Sequence, residues 1–196
     1  MTMKKQTRII LIVISLMLIG AYFFPIWKID LKAPQYPEGL GMKIWVSKIS
    51  GDLNTINGLN HYIGMKTIQP DSISELKVMP FVVGGLIVIG VVAGVSGKKW
   101  ILFTWVVLFV IAGTVGLYDF YTWEYDYGHE LNPSAAIKVP GMSYQPPLIG
   151  SKKLLNFYAS SLPDIGAYIF FGVALIAIIL LILEVRKPKK LLNAET

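Results

Sequence analysis

The chain has 196 residues, of which 54% are hydrophobic and only 15% are charged. Typical soluble domains carry about 25% charged residues, and a soluble protein of this length could not bury so much apolar surface. The sequence contains no cysteine, which excludes disulfides, iron–sulfur clusters and thiolate metal sites. The composition therefore predicts an integral membrane protein.

Four apolar segments divide the chain, and each is near the ~20 residues that a helix needs to cross a bilayer. They run over about 9–27, 78–95, 100–118 and 165–183. The first could also be a cleaved signal peptide, but it ends in bulky aromatic residues rather than at a small-residue cleavage site. We therefore predict an all-α integral membrane fold: a four-helix transmembrane bundle with two extracytoplasmic loops, about 28–77 and 119–164, that form a small mixed cap.

The basic residues predict the orientation of this bundle. Nine of the 18 lie near the N-terminus, in the turn at 98–99 or after the last apolar segment, which leaves the outer loops with a net charge of −1. The positive-inside rule then places both termini in the cytoplasm, in a bacterial inner membrane. The net charge of +6 is thus a topology signal and does not indicate nucleic-acid binding. The spans carry no ionisable side chain between their ends, which disfavours a self-sufficient transporter.

The second apolar segment is rich in glycine. Gly84, Gly85, Gly90 and Gly94 all fall within it, and the last two form a small-xxx-small pair. Small residues let helix backbones approach closely in lipid. The pattern predicts packing inside the four-helix bundle or, alternatively, the docking of a partner subunit on the glycine face.

The outer loops have the composition of folded segments, which would pack together as a cap or against a protein partner. Residues 42–49 alternate in polarity and predict a short strand, and residues 52–65 predict a helix that ends near Gly64. Residues 151–161 predict a short helix at the membrane interface. Four prolines between these elements predict an extended, irregular path: Pro133, Pro140, Pro146 and Pro147.

The side chains able to bind a metal are few, and they lie in the outer loops. The two histidines are His61 and His129, and His61 precedes Met65 by four residues, which on a helix would place both on one face. Imidazole and thioether without thiolate suit copper better than zinc. The candidate metal ligands are His61, Met65, His129 and Met142, with packing as the alternative role for each. Carboxylates that would suit copper(II) are Asp119, Glu124, Asp126 and Glu130.

Other chemistry has less support in the sequence. Glu124 and Asp126 could act as an acid–base pair, but we expect them to solvate the aromatic run at 118–127. The two histidines could in principle ligate a haem. No phosphate-binding loop, zinc motif or Ser/His/Asp arrangement is present, and we predict a protein without catalytic activity.

Three stretches together carry a resemblance to a known group of proteins. They are APQYPEGLGM at 33–42, GLNHYIGM at 58–65 and VPGMSYQPP at 139–147. The sequence resembles small membrane proteins of Bacteroidetes-type bacteria that are encoded beside genes for nitrous-oxide-reductase maturation, including a copper-chaperone lipoprotein and a periplasmic copper-site assembly protein. This resemblance implies an accessory protein of denitrification that faces the periplasm and handles copper. The alternatives are a non-catalytic scaffold subunit of a larger membrane complex and an oxidoreductase subunit that contacts quinone or haem.

Overall fold

A computed structural model describes residues 2–154 and 156–186. The basic residues Lys187, Lys189 and Lys190, which contributed to the predicted orientation, lie outside the described residues. In chain order the helices are α1 (Lys5–Met17, continued as a 3₁₀ helix over Leu18–Tyr22), α2 (Leu53–Ile63), α3 (Ser74–Ser96), α4 (Lys99–His129) and α5 (Ile165–Val185). The strands are β1 (Trp27–Ala33), β2 (Tyr36–Ile44), β3 (Ile49–Gly51), β4 (Gly150–Leu154) and β5 (Phe157–Pro163).

Four helices are long and apolar enough to cross a membrane: α1 with its 3₁₀ extension, α3, α4 and α5. They pack around buried Leu11, Leu18, Leu102 and Trp105. The N-terminal segment, the α3–α4 turn and the end of α5 meet at one end of the bundle, where Met3 donates its backbone N–H to Gly97 and Lys99 forms an ion pair with Glu184. If all four helices cross a membrane, two crossings separate each of these points from the next, so all three must lie on the same side.

The glycine-rich face of α3 is used inside the chain. A Cβ on Gly90 would collide with Ser15 and Trp105, and one on Gly94 would lie 2.5 Å from the Ile12 side chain. The space at Gly90 also admits the Trp105 indole, which donates a hydrogen bond to the Leu86 carbonyl oxygen at 2.7 Å. The sequence left open whether Gly90 and Gly94 pack inside the bundle or bind a partner subunit. Their contacts with Ser15, Trp105 and Ile12 are accounted for by packing within the bundle.

The prediction of an all-α fold is wrong, because the cap contains a five-stranded antiparallel sheet. Its order is β3-β2-β1-β5-β4, so that the pairing of β1 with β5 joins the first outer loop to the second. Residues 151–161, predicted to be a helix, form β4 and β5 instead. Alternate residues of β5 (Phe157, Ala159 and Ser161) face inward and its backbone pairs on both sides, which satisfies the peptide groups that a helix would have satisfied internally.

The remaining cap elements agree with the sequence in part. The predicted strand at 42–49 is divided by a turn between β2 and β3, whereas the helix predicted at 52–65 is present as α2. Gly64 ends α2 with a positive φ of 82°, a conformation that glycine adopts without steric cost. Residues 131–149 contain no helix or strand, which confirms the irregular path predicted from the prolines.

The largest difference from expectation is the length of α4. At 31 residues and 1.5 Å per residue the helix is about 46 Å long, whereas the hydrocarbon core of a bilayer is about 30 Å thick. The part of α4 after Tyr118 therefore extends beyond a membrane and packs against the sheet, where Phe120, Trp123 and Tyr127 join the apolar core of the cap. The aromatic run predicted to be a loop is helical. The first span, in contrast, is helical only to Tyr22, and Trp27 begins β1.

Candidate functional site

A cavity of about 380 Å³ lies inside the cap. Its walls are the inner face of the sheet, the apolar face of α2, the distal part of α4 and the connection between α4 and β4. The buried lining residues include Ile56, Glu124 and Tyr144, and the exposed ones include Tyr62 and Ile137. Pockets that hold small molecules have volumes of about 300–1,000 Å³ and mostly apolar walls, so this cavity has the size and lining of a ligand site.

The exposed lining residues show where the cavity opens. Gln35 lies in the β1–β2 turn and Asn156 in the β4–β5 turn, and both hairpin turns are at the end of the sheet away from the helix bundle. The opposite ends of β1 and β5, at Trp27 and Pro163, join the bundle directly. The cavity therefore opens at the end of the cap that lies away from the helix bundle.

The distal part of α4 presents different aromatic residues to its two sides. Trp123 and Tyr127, which are four residues apart, lie on the cavity side with ring centroids 4.4 Å apart. Tyr125 and His129 stack on the outer side at 4.0 Å. Residues at this spacing share one face of a helix, which explains why the run divides into an inner and an outer row.

Three buried polar atoms have no hydrogen-bond partner within the described part of the chain, and all three belong to residues that line the cavity. They are the indole Nε1 of Trp123, Oε2 of Glu124 and the hydroxyl of Tyr144. An unpaired buried polar group costs roughly 1–3 kcal/mol, so three of them at one cavity point to a molecule or water that pairs with them.

Glu124 has only 1% of its surface exposed. Burial raises the pKa of its carboxyl group from 4.5 to about 8, because the charged form loses its hydration. Ser161 donates a hydrogen bond from its Oγ to Oε1 of Glu124 at 3.5 Å, which lowers the pKa and offsets part of the effect of burial. At neutral pH the cavity therefore contains a mostly protonated carboxyl group, which can both donate and accept a hydrogen bond.

Tyr144 is held in place by the backbone. Its N–H donates to the carbonyl oxygen of Gly128 at 2.9 Å, and a Cβ on Gly128 would collide with the backbone of Gln145. The absence of a side chain at Gly128 thus allows the α4–β4 connection to lie directly on α4, which buries Tyr144 to 2% exposure.

The residues predicted to bind a metal lie elsewhere or are separated. His61 and His129 are exposed, and Met142 is half-buried. The premise that His61 and Met65 share a helical face is wrong, because α2 ends at Ile63 and the chain reverses at Gly64. Met65 lines the cavity, together with Met42.

The chain segments that carry the two histidines do run beside each other. The N–H of Asn132 donates to the carbonyl oxygen of Gly64 at 2.8 Å, and Lys66 forms an ion pair with Glu130. Within the described ranges, however, no three His, Cys, Asp or Glu side chains are grouped closely enough to hold a metal ion. Metal binding by His61, Met65, His129 and Met142 stays a prediction.

The expectation that Glu124 solvates an aromatic loop is wrong. Once residues 118–127 are read as a helix, Phe120, Trp123 and Tyr127 lie at positions −4, −1 and +3 from Glu124 and share its face. A carboxylate in the middle of an aromatic face is a signal of burial that the sequence contains. The sequence analysis missed this signal because Asp119 and Asp126 made the segment resemble a polar loop, although the helix continues through both residues.

A second buried carboxylate, Glu184, lies at the opposite end of the molecule. It accepts hydrogen bonds from the backbone N–H of Lys4 and from the hydroxyl of Thr7, and it pairs with Lys99 at 2.9 Å. These contacts join α1, α4 and α5. Because its donors are all supplied by the chain, we assign Glu184 a structural role.

The fold and cavity define a class: a chain with four helices of membrane-spanning character that carries an α/β cap with a ligand-sized cavity. No protein-family model matches the sequence, and no curated protein matches it.

Proposed function

We propose that this is an accessory membrane protein without catalytic activity, whose cap takes up a small, largely apolar ligand from the periplasmic side of a bacterial inner membrane. The observation that carries the proposal is the coincidence of the cavity with the three unpartnered polar atoms of Trp123, Glu124 and Tyr144. The apolar walls would supply affinity, and these groups would fix the orientation of the ligand.

The periplasmic side is supported by charge. Lys4, Lys5, Arg8, Lys98 and Lys99 lie near the bundle end opposite the cap, and basic residues favour the cytoplasmic side. The cavity mouth opens away from the bundle, so a ligand would enter from water and not from the lipid. This direction disfavours a membrane quinone as the ligand.

Fluorine NMR of protein labelled with 5-fluorotryptophan would test the uptake. The chain has five tryptophans; Trp123 lines the cavity, whereas Trp100 is exposed near the other end of α4. Small neutral aromatic molecules such as benzyl alcohol should shift the Trp123 resonance saturably and leave that of Trp100 unchanged. The Trp123→Phe variant assigns the resonance.

A matched pair of substitutions on α2 gives the control. Leu59 lines the cavity and Asn54 is exposed. Leu59→Phe should reduce the volume and weaken binding, whereas Asn54→Phe should not. Parallel shifts of Trp123 and Trp100 that do not saturate would indicate partition into the membrane and would contradict the proposal.

Copper handling remains a second proposal, supported by the sequence resemblance and by one structural observation. Met42 and Met65 both line the cavity, and thioether side chains suit copper(I). Titration with copper(I) and copper(II) would test this role. Binding that Met65→Leu or His61→Ala weakens would support it, and no uptake of either ion would contradict it.

A further inference from the structure

We propose that the ligand of the cap cavity is a small organic monocation, an ammonium group on an apolar body, which pairs with Glu124 and is surrounded by aromatic rings. The inference rests on the proposed uptake of a ligand and specifies its chemical class. The lining residues that carry it are Glu124, Trp123, Tyr127, Tyr144, Tyr36 and Phe157.

Charge is the first argument. Among the described residues that line the cavity, Glu124 is the one whose side chain is ordinarily charged at neutral pH, and no Lys, Arg or His lines it. A buried carboxylate is costly without a cationic partner, so burial favours the protonated form of Glu124. A cationic ligand could replace that proton, and the cavity has room for the molecule that would bring the charge.

The aromatic lining is the second argument. Six aromatic side chains line the cavity, since Tyr62 joins the five named above. The faces of such rings carry a negative potential that attracts cations, including primary ammonium groups, and quaternary ammonium ligands are commonly bound in aromatic cages. Here the rings come from β2, α2, α4, the α4–β4 connection and the start of β5, so they surround the space instead of lining one wall.

The polar groups of the cavity fit an ammonium donor. Oε2 of Glu124 has no partner in the described chain and can accept a hydrogen bond, as can the hydroxyl oxygen of Tyr144. A neutral carbonyl ligand is the competing class, because it could accept hydrogen bonds from the Trp123 indole and from protonated Glu124. The two classes require different protonation states of Glu124: a cation pairs with the carboxylate, whereas a carbonyl group accepts a hydrogen bond from the protonated form.

Binding of a cation should release that proton. Burial raises the pKa of Glu124 to about 8, so at pH 6 the carboxyl group must lose a proton before it can pair with an ammonium group. The other titratable groups at the cavity are Tyr127 on α4, Tyr144 on the connection, Tyr36 on β2 and Tyr62 on α2. Burial raises the pKa of the Tyr127 phenol above its ordinary value. A cation should therefore bind more tightly as pH rises from 6 to 8, and a carbonyl ligand less tightly.

The experiment compares benzylamine with benzyl alcohol, using the fluorine resonance of Trp123 in the full-length protein. At pH 7.5 benzylamine should bind at least about tenfold more tightly, as expected for a charge-assisted hydrogen bond worth roughly 1.5–3 kcal/mol. Between pH 6 and 8 its affinity should rise by up to about tenfold per unit. Glu124→Gln should abolish the preference for the amine, whereas Asp126→Asn, which removes a carboxylate on the same helix away from the cavity, should preserve it.

The outcomes separate the two proposals. If both molecules bind equally, or if Glu124→Gln leaves the preference intact, the inference of a cation is wrong while ligand uptake stands. If neither molecule shifts Trp123, ligand uptake itself is contradicted. An Nα-acetyl-lysine amide distinguishes the source of the ammonium group: tighter binding than benzylamine would indicate a lysine side chain of a peptide, and weaker binding a free amine.

Discussion

The Oγ atom of Ser161 lies 3.5 Å from Oε1 of Glu124, in the interior of the cap. The same hydroxyl accepts a hydrogen bond from the indole of Trp27 at 2.7 Å and donates to the carbonyl oxygen of Leu148 at 3.2 Å. A hydroxyl group has one proton to donate. The single proton of Ser161 is therefore shared between Leu148 and Glu124. The hydrogen bond from Ser161 lowers the pKa of the Glu124 carboxyl group, but burial raises it by more.

The stability of the protein should fall as pH rises. Because the pKa of Glu124 is raised from 4.5 to about 8, the folded protein binds more protons than the unfolded chain between these values. The contribution of Glu124 to the free energy of unfolding is therefore largest below about pH 5. It decreases by as much as roughly 5 kcal/mol as the pH rises to 8. Thermal denaturation in detergent micelles across pH 5–9 measures the change.

Glu124→Gln isolates this contribution. The amide keeps the size and hydrogen-bonding capacity of a protonated carboxyl group but does not titrate. The variant should lose most of the decline between pH 5 and 8, with Asp126→Asn as the control that retains it. An unchanged pH dependence in Glu124→Gln would show that the carboxyl group is not the cause.

Ser161→Ala should destabilise the cap. It leaves the buried Trp27 indole without its acceptor and removes the donor to Leu148, for an expected loss of roughly 1–3 kcal/mol in the free energy of unfolding. Ser160 is the matched control, since it lies next along β5 on the other face of the sheet. Equal effects of Ser160→Ala and Ser161→Ala in chemical denaturation would contradict the assigned role of Ser161.

Glu184→Gln should loosen the opposite end of the bundle. The Glu184 side chain is 3% exposed and Lys99 is 30% exposed, so the pair is partly shielded from water and its loss should cost about 1–3 kcal/mol. The effect should appear in the thermal midpoint while ligand binding in the cap is retained. Glu75→Gln, an exposed change at the start of α3, should be nearly neutral.

The packing of α3 gives a prediction for the bundle alone. Gly90→Ala would place a methyl group against Ser15 and Trp105, whereas Gly85→Ala meets nothing within 4 Å. We expect Gly90→Ala to lower the thermal midpoint and Gly85→Ala to leave it unchanged or raise it, because alanine favours a helix over glycine by about 1 kcal/mol. A neutral Gly90→Ala would contradict close packing of α3 on α1 and α4.

Much of the bundle was predictable because length and hydropathy identify a membrane-spanning helix in a sequence. The cap was not predictable, since its sheet depends on the pairing of β1 with β5, which are separated by more than 120 residues. The aromatic run at 118–127 was misread for a different reason: its Asp and Glu residues ended the hydropathy signal while the helix itself continued to His129.

The candidate site followed from neither motif nor composition. It depends on which face of α4 meets the sheet, and therefore on a tertiary contact. His61 and His129 are the only two histidines in the sequence, but that fact does not imply that they lie close together in the fold. The cavity is formed instead by common residue types, and Glu124 is the one acidic residue among the described residues that line it.

Infrared difference spectroscopy of benzylamine binding at pH 7 tests the central claim most directly, because it observes the carboxyl group that the account places at the ligand. The protonated carbonyl band of Glu124 should disappear on binding and a carboxylate band should replace it, with neither change in Glu124→Gln. Saturable binding without any carboxyl signal that depends on Glu124 would contradict the account.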